Sequence, residues 1–131
     1  MAHETQLIGV AVVEYRGRYL VGIRGDQGPL PGYAEFPGGK CLPNERPADC
    51  ACRECEEESG LQVVPGKLLM NAAFEYPHGT VDLHFWLCQP VNPEQVIDNH
   101  QGFHWVAPAD FKNHRFPEGN QRLIELLEGN S

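Results

Sequence analysis

Phe36-Pro37-Gly38-Gly39-Lys40, then Glu45, then Arg53-Glu54-Cys55-Glu56-Glu57-Glu58-Ser59-Gly60-Leu61 is the stretch that decides how this chain is read. Pro47 suits the first turn of a helix, where its missing N–H would have no partner, and Gly60 suits a helix end. The segment between them is predicted as one helix of about a dozen residues. On that helix Glu54, Glu57 and Glu58 stand at i, i+3 and i+4 and so share a face. Three converging carboxylates repel one another, and the C-terminal end of a helix is the wrong end for negative charge. A cation must offset them. Magnesium does so through a few carboxylates together with waters and substrate phosphates, which makes the cluster half a site whose other half is a phosphorylated ligand. Gly38-Gly39 lets backbone approach that ligand or metal with no side chain between. Arg53 and Glu45 bracket the cluster and are expected to hold the loop against the helix. Taken singly, an acidic helix face is usually solvated surface and a Gly-Gly pair a turn. The spacing of the whole is what carries information.

The chain has 131 residues, a length that fits one domain, 1–131, with a real hydrophobic core. It has no run of eighteen apolar residues and no basic and apolar leader, so a cytoplasmic protein without a membrane span is expected. A net charge of −8 with ten Lys and Arg argues against a nucleic-acid polymer as partner, because phosphate backbones are bound through clustered basic residues. A free nucleotide is a different case, since bound magnesium and two or three basic side chains meet its charge locally. The expected assembly is a monomer or a homodimer. Five cysteines without a leader fit reduced thiols. Cys50, Cys52 and Cys55 sit close enough for a metal site to be considered, but zinc sites need a second pair or histidines at matching spacing. Small core-facing residues are the alternative, with Cys52 and Cys55 on the face of Ala48 and Ala51.

Around the central stretch, the apolar runs Leu7–Val13 and Tyr19–Ile23, joined at Arg16-Gly17, read as a hairpin of strands buried on both faces. Gly and Pro between residues 25 and 33 mark a loop able to wall a binding site. Pro65-Gly66 reads as a turn, the segment 67–76 as a strand, and Pro77-His78-Gly79 as the next turn. From Val81 to Cys88 the pattern alternates, with Val81, Leu83, Phe85 and Leu87 facing a core and Asp82, His84, Trp86 and Cys88 on a face suited to a cleft. Residues 90–101 read as a polar loop, 103–106 as a short strand and 108–111 as a turn. Leu123, Ile124, Leu126 and Leu127 form the apolar stripe of a last helix, about 118–128. The implied class is α+β, a mixed β-sheet between helices in an α/β/α sandwich.

Gly39, Glu45, Arg53-Glu54, apolar Cys55, Glu57-Glu58, Gly60 and apolar Leu61 fill every fixed position of the signature of the Nudix hydrolases, which this chain therefore resembles. The resemblance implies the Nudix fold with a loop-helix-loop that binds Mg2+, for which Mn2+ can substitute, and hydrolyses nucleoside diphosphates linked to another group. It implies Glu54, Glu57, Glu58 and the Gly39 carbonyl as metal ligands, with Arg53 beside them in the catalytic set. Beyond the signature, Glu35 to Lys40, Glu75-Tyr76-Pro77, Phe85-Trp86-Leu87, Trp105 and Phe116-Pro117-Glu118-Gly119-Asn120 are similar to the MutT-like branch. That likeness implies hydrolysis of a nucleoside triphosphate, such as 8-oxo-dGTP, to a monophosphate and pyrophosphate. It also implies Asn120, Arg24, Lys40 and Tyr76 at the substrate. An amide offers a donor and an acceptor side by side, as reading a purine edge requires. Asn is equally a favoured helix cap, which is the alternative role for Asn120. Departures stand beside the match: Asn99, with Asp98 next to it, replaces a further loop glutamate, and Asp82 and His84 occupy strand positions usually neutral or aromatic. Asp82 and His84 are expected to reach the pocket and to favour a base with an exocyclic amino group. Other nucleoside diphosphate substrates (CTP, dCTP, ADP-ribose) and a non-catalytic nucleotide-binding module are the alternative functions.

Overall fold

The structure is a computed structural model that describes residues 4–129. The apolar run near the N-terminus forms β1 (Glu4–Tyr15) and returns through Arg16-Gly17 as β2 (Arg18–Ile23). Two short strands, β3 (Ala34–Glu35) and β4 (Gly38–Lys40), lead into α1 (Pro47–Ser59). After it come β5 (Val63–Tyr76), β6 (Gly79–Pro90), β7 (Asn99–His100), β8 (Phe103–Val106) and α2 (Gln121–Gly129). The sheet order is β5-β6-β1-β2-β8-β7, with β3 added to β2 and β4 to β1. Only β1 and β6 are paired in parallel among these strands, from Glu4 opposite Gly79 to Val13 opposite Cys88. The sheet is therefore mixed, as the sequence predicts.

The continuous apolar run of β1 is explained by cores on both faces. Val10 and Val12 join Phe85, Phe111, Phe116 and the α2 residues Leu123, Ile124 and Leu127 on one side. Ala11 and Val13 join Leu20, Cys88 and the α1 residues Ala51 and Cys55 on the other. Fully burying side chains such as Phe85, Leu20 and Leu123 contributes about 1.5–3 kcal/mol each. Helix α1 lies close against β1 because Gly9 has no side chain. A Cβ there would stand 2.6 Å from the Pro47 carbonyl oxygen and 2.8 Å from the Ala51 nitrogen. The helix ends at Gly60, whose left-handed backbone (φ 79°) brings its N–H within 2.8 Å of the Glu56 carbonyl.

Several local expectations are corrected. Pro65-Gly66 does not turn the chain; it lies inside β5, where the register against β6 shifts between Pro65 and Leu68. An edge strand tolerates a proline and a bulge because its outer row of N–H groups has no partner to lose. The segment 108–111 lies in a 3₁₀ helix, Pro108–Asn113, and the loop 90–101 holds a 3₁₀ turn and β7. Leu126 is 39% exposed, so the inward stripe of α2 is Leu123, Ile124 and Leu127. On α1 the buried cysteines are Cys50 and Cys55, while Cys52 is half-buried. No helix among the described residues is long and apolar enough to cross a membrane.

Candidate active site

A single guanidinium joins the loop to the helix. Arg53 donates from Nε to Glu45 Oε2 at 2.8 Å and from Nη2 to Glu45 Oε1 at 3.0 Å and the Lys40 carbonyl at 3.1 Å. Its Nη1 reaches Glu54 Oε2 at 2.8 Å and the Glu57 carboxylate at 3.1 Å. Glu45 also accepts the Leu42 N–H at 2.9 Å. These bonds, first those from Arg53 and then that from Leu42, hold the Glu45 carboxyl down at about 2. Its ionised form therefore stabilises the loop above the ordinary carboxylate range, and that contribution is lost as pH falls toward 2.

The two glycines meet the glutamates directly. A Cβ on Gly39 would meet the Glu54 carboxylate, so a side chain there would push that carboxylate from its place beside the loop. Gly38 donates its N–H to Glu58 Oε1 at 3.0 Å. The Gly39 carbonyl accepts the Cys50 thiol at 3.3 Å. Glu54 and Glu57 share Arg53, but Glu58 has no basic partner in this network. Withdrawal of its carboxyl from water, followed by the charges of Glu35, Glu54 and Glu57, pushes Glu58 up to about 7 against the opposing Gly38 hydrogen bond.

A carboxyl raised by folding is a cost once ionised, so Glu58 weakens the metal-free fold as pH rises through about 7 and not below the ordinary carboxylate range. Glu58→Gln is therefore expected to raise the thermal midpoint of the metal-free protein by a few degrees at pH 8 and by much less at pH 4.5. Melting curves at the two pH values test this, and a gain independent of pH would contradict it.

Beyond the glycines opens a cleft of about 390 Å³. Gly38, Gly39, Lys40, Arg24, Glu35, Tyr76, Asn120, Phe74 and Leu83 are among the residues that line it. Asn120 reaches it from a 3₁₀ turn, Glu118–Asn120, that directly precedes α2, and its N–H donates to the Pro117 carbonyl at 2.9 Å. The predicted substrate residues Arg24, Lys40, Tyr76 and Asn120 thus border one space that ends on the loop held by Glu54 and Glu58.

The NUDIX domain model matches residues 9–126 of this chain. The chain belongs to the NUDIX family. An 8-oxo-dGTP diphosphatase of Haemophilus influenzae is 34% identical over 98 residues, covering 71% of this chain and 68% of that protein. The CTP pyrophosphohydrolase of Escherichia coli is 26% identical over 117 residues, covering 89% and 87%. Among solved structures, the MutT protein from Methanosarcina mazei superposes with a TM-score of 0.77 at 21% identity, covering 99% of this chain and 97% of that one. At that identity the likeness speaks for the fold. Family and relatives together make this a MutT-like NUDIX hydrolase.

In this NUDIX hydrolase the departures from the branch pattern lie away from the cleft. Asp82 and His84 stand on the opposite face of β6 from Val81 and Leu83, and it is Val81 and Leu83 that line the cleft. The two are tied together there, His84 Nε2 lying 3.1 Å from Asp82 Oδ2 and Asn71 donating to Asp82 Oδ1 at 2.8 Å. The expectation that they reach the pocket is therefore corrected: the face of β6 that packs on the α2 side also forms the cleft wall. Asn99 uses its Oδ1 to accept the Gly102 N–H at 2.7 Å, and Asp98 borders a separate hollow with Arg16 and Trp105. Neither lines the cleft. Sequence reasoning did not single out Glu35, which lies in the cleft wall with its Oε1 3.3 Å from Arg24 Nε. Burial raises its carboxyl, with Arg24 opposing. The available signal was an acidic residue immediately before the buried Phe36-Pro37.

Proposed function

We propose that this NUDIX hydrolase cleaves a nucleoside triphosphate, in a magnesium-dependent reaction, to a nucleoside monophosphate and pyrophosphate. The observation that carries the reading is the continuity of one cleft from Asn120 to the Gly38-Gly39 loop and, through it, to the acidic face of α1. The donor set fits a hard cation: Glu54, Glu57, Glu58 and the Gly39 carbonyl are all oxygen ligands. The charge their neighbours impose on Glu58 is what a divalent ion would offset. Magnesium, when bound there, would neutralise phosphate charge and polarise the phosphoryl group. Manganese would serve as well. The chain's own contribution is to bind and orient. Lys40 and Arg24 bring positive charge to the cleft, and the Arg53 bonds keep Glu54 and Glu57 in place. The reaction forms a bond from water oxygen to phosphorus and breaks a phosphoanhydride bond, with pyrophosphate leaving. With Asp98 and Asn99 directed elsewhere, this reading assigns the water's proton to a carboxylate of α1.

Phe74, Val81 and Leu83 supply an apolar wall for a base, and the Asn120 amide a paired donor and acceptor. Because Asp82 is turned away, no carboxylate from β6 enters the choice of base. 8-oxo-dGTP is the leading substrate in this reading, carried by the Haemophilus influenzae relative, and CTP the second, carried by the longer alignment with the Escherichia coli enzyme. In this reading the enzyme works on the free nucleotides of the cytoplasm. A screen of 8-oxo-dGTP, CTP, dCTP, dATP and ADP-ribose decides the matter. Pyrophosphate release from a triphosphate with millimolar magnesium, and none after chelation, is expected. Turnover of ADP-ribose alone would overturn the reading.

Asn120→Ala is expected to cost about 1–3 kcal/mol of discrimination, roughly ten- to hundredfold in kcat/KM, on the preferred base only. Comparing 8-oxo-dGTP with CTP in the parent and the variant measures it. Equal losses on both substrates would mean that Asn120 caps the helix and does not read the base.

A further inference from the structure

The NUDIX signature loop carries two thiols that the hydrolytic reaction does not use. Cys41 follows β4, and its N–H is held by the Leu7 carbonyl of β1 at 2.8 Å. Cys50 lies in the first turn of α1, its N–H held by the Arg46 carbonyl at 2.9 Å. Both are anchored by backbone, yet they meet: the two sulfurs and a Glu45 carboxylate oxygen all lie within 4.8 Å of one another. In a tetrahedral zinc site, with bonds of about 2.0–2.3 Å, neighbouring ligand atoms stand roughly 3.5 Å apart. Closing these three side chains around one ion therefore takes movements of about 1 Å. A fourth donor is at hand, since the Gly39 carbonyl lies 3.3 Å from Cys50 Sγ. Access is provided by an open hollow of about 430 Å³ that Cys41 and Glu45 line, with Cys50 fully buried behind them. Arg53 Nη2 is 4.0 Å from Cys50 Sγ, but that one positive charge already serves Glu45, Glu54 and Glu57. The surroundings retain negative charge for a second cation.

We propose that Cys41, Cys50 and Glu45 form a binding site for a thiophilic divalent cation such as zinc, and that filling it turns off the adjoining carboxylate site. On binding, each thiol gives its proton to solvent and forms a sulfur–metal bond, and a Glu45 oxygen exchanges Arg53 for the ion. Two supports of the neighbouring site are lost in the process. The Gly39 carbonyl loses its thiol donor, and Arg53 loses one of its two Glu45 bonds, which leaves the Lys40 carbonyl and the other Glu45 oxygen to hold it to the loop. Mixed sulfur and oxygen ligands select zinc or cadmium over magnesium, and the Gly39 carbonyl is the one donor the two sites would share.

The binding half of this proposal stands independently of the hydrolase reading, and its test uses neither magnesium nor nucleotide. Cadmium is titrated into the reduced full chain while the ultraviolet thiolate-to-cadmium charge-transfer band is followed, and zinc affinity is measured against a chromophoric chelator. One ion per chain is expected, with at least about a tenfold loss of affinity in Cys41→Ala and none in Cys52→Ala. In the magnesium-dependent assay, saturating zinc is expected to lower the parent's turnover more than about tenfold, reversibly on chelation, and to leave Cys41→Ala at its zinc-free rate. Unchanged affinity in Cys41→Ala, a band lost in Cys52→Ala instead, or zinc binding without inhibition would each overturn the proposal.

Discussion

Replacing Glu57 or Glu58 by Gln is expected to lower kcat roughly a thousandfold while the protein stays folded. The amide keeps the size of the side chain and removes the charge, so the change reads the electrostatic role alone. For Glu57 the Arg53 bond weakens as well, because its Nη1 then has only Glu54 as a charged acceptor, at 2.8 Å. For Glu58 the loss of activity is accompanied by the gain in metal-free stability described above. That opposition is the mark of a carboxylate kept for function at a cost to the fold. Steady-state kinetics over a magnesium series, beside melting curves of the same samples, measures both. Normal turnover in either variant would remove that residue from the site.

Gly9→Ala is expected to destabilise the protein by about 3 kcal/mol, the upper end of what overpacking costs. The added methyl would meet the Pro47 carbonyl oxygen at 2.6 Å, the Ala51 nitrogen at 2.8 Å and Cys50 Cβ at 2.9 Å. Two of these are backbone and the third is a Cβ, so no rotamer change relieves the contact and the whole of α1 must shift. Against a total stability of about 5–15 kcal/mol that is a large fraction. Activity should fall too, since the same helix carries the glutamates. Denaturant midpoints and kcat on purified variant check the two effects, and a loss under about 0.5 kcal/mol would mean that α1 is not clamped at this point.

The two predictions differ in what made them possible. Glu57 and Glu58 were legible from spacing, because residues three and four apart on a helix share a face wherever that helix is placed. Pro47 and Gly60 bounded the helix for equally local reasons. The double-sided burial of β1 was written in its unbroken apolar run, which only a covered central strand carries. Gly9 sits in that same run and shows nothing locally. Its importance arises because α1, some forty residues later, comes to rest against it.

What the sequence by itself determined, then, was whatever depends on backbone periodicity within one element: the helix and its acidic face, the central strands, and the class of the fold. The tertiary structure alone decided which elements meet. It put Glu35 beside Arg24 in the cleft wall, turned Asp82 and His84 to the far side of β6, and sent Asp98 to another hollow. It also carried β5 through Pro65-Gly66 and brought Cys41 against Cys50. Each of those outcomes is a matter of strand register or of contact between distant segments. A shift of one residue exchanges the two faces of a strand, and no local preference of Asp82 or Pro65 states which partner strand will set that register.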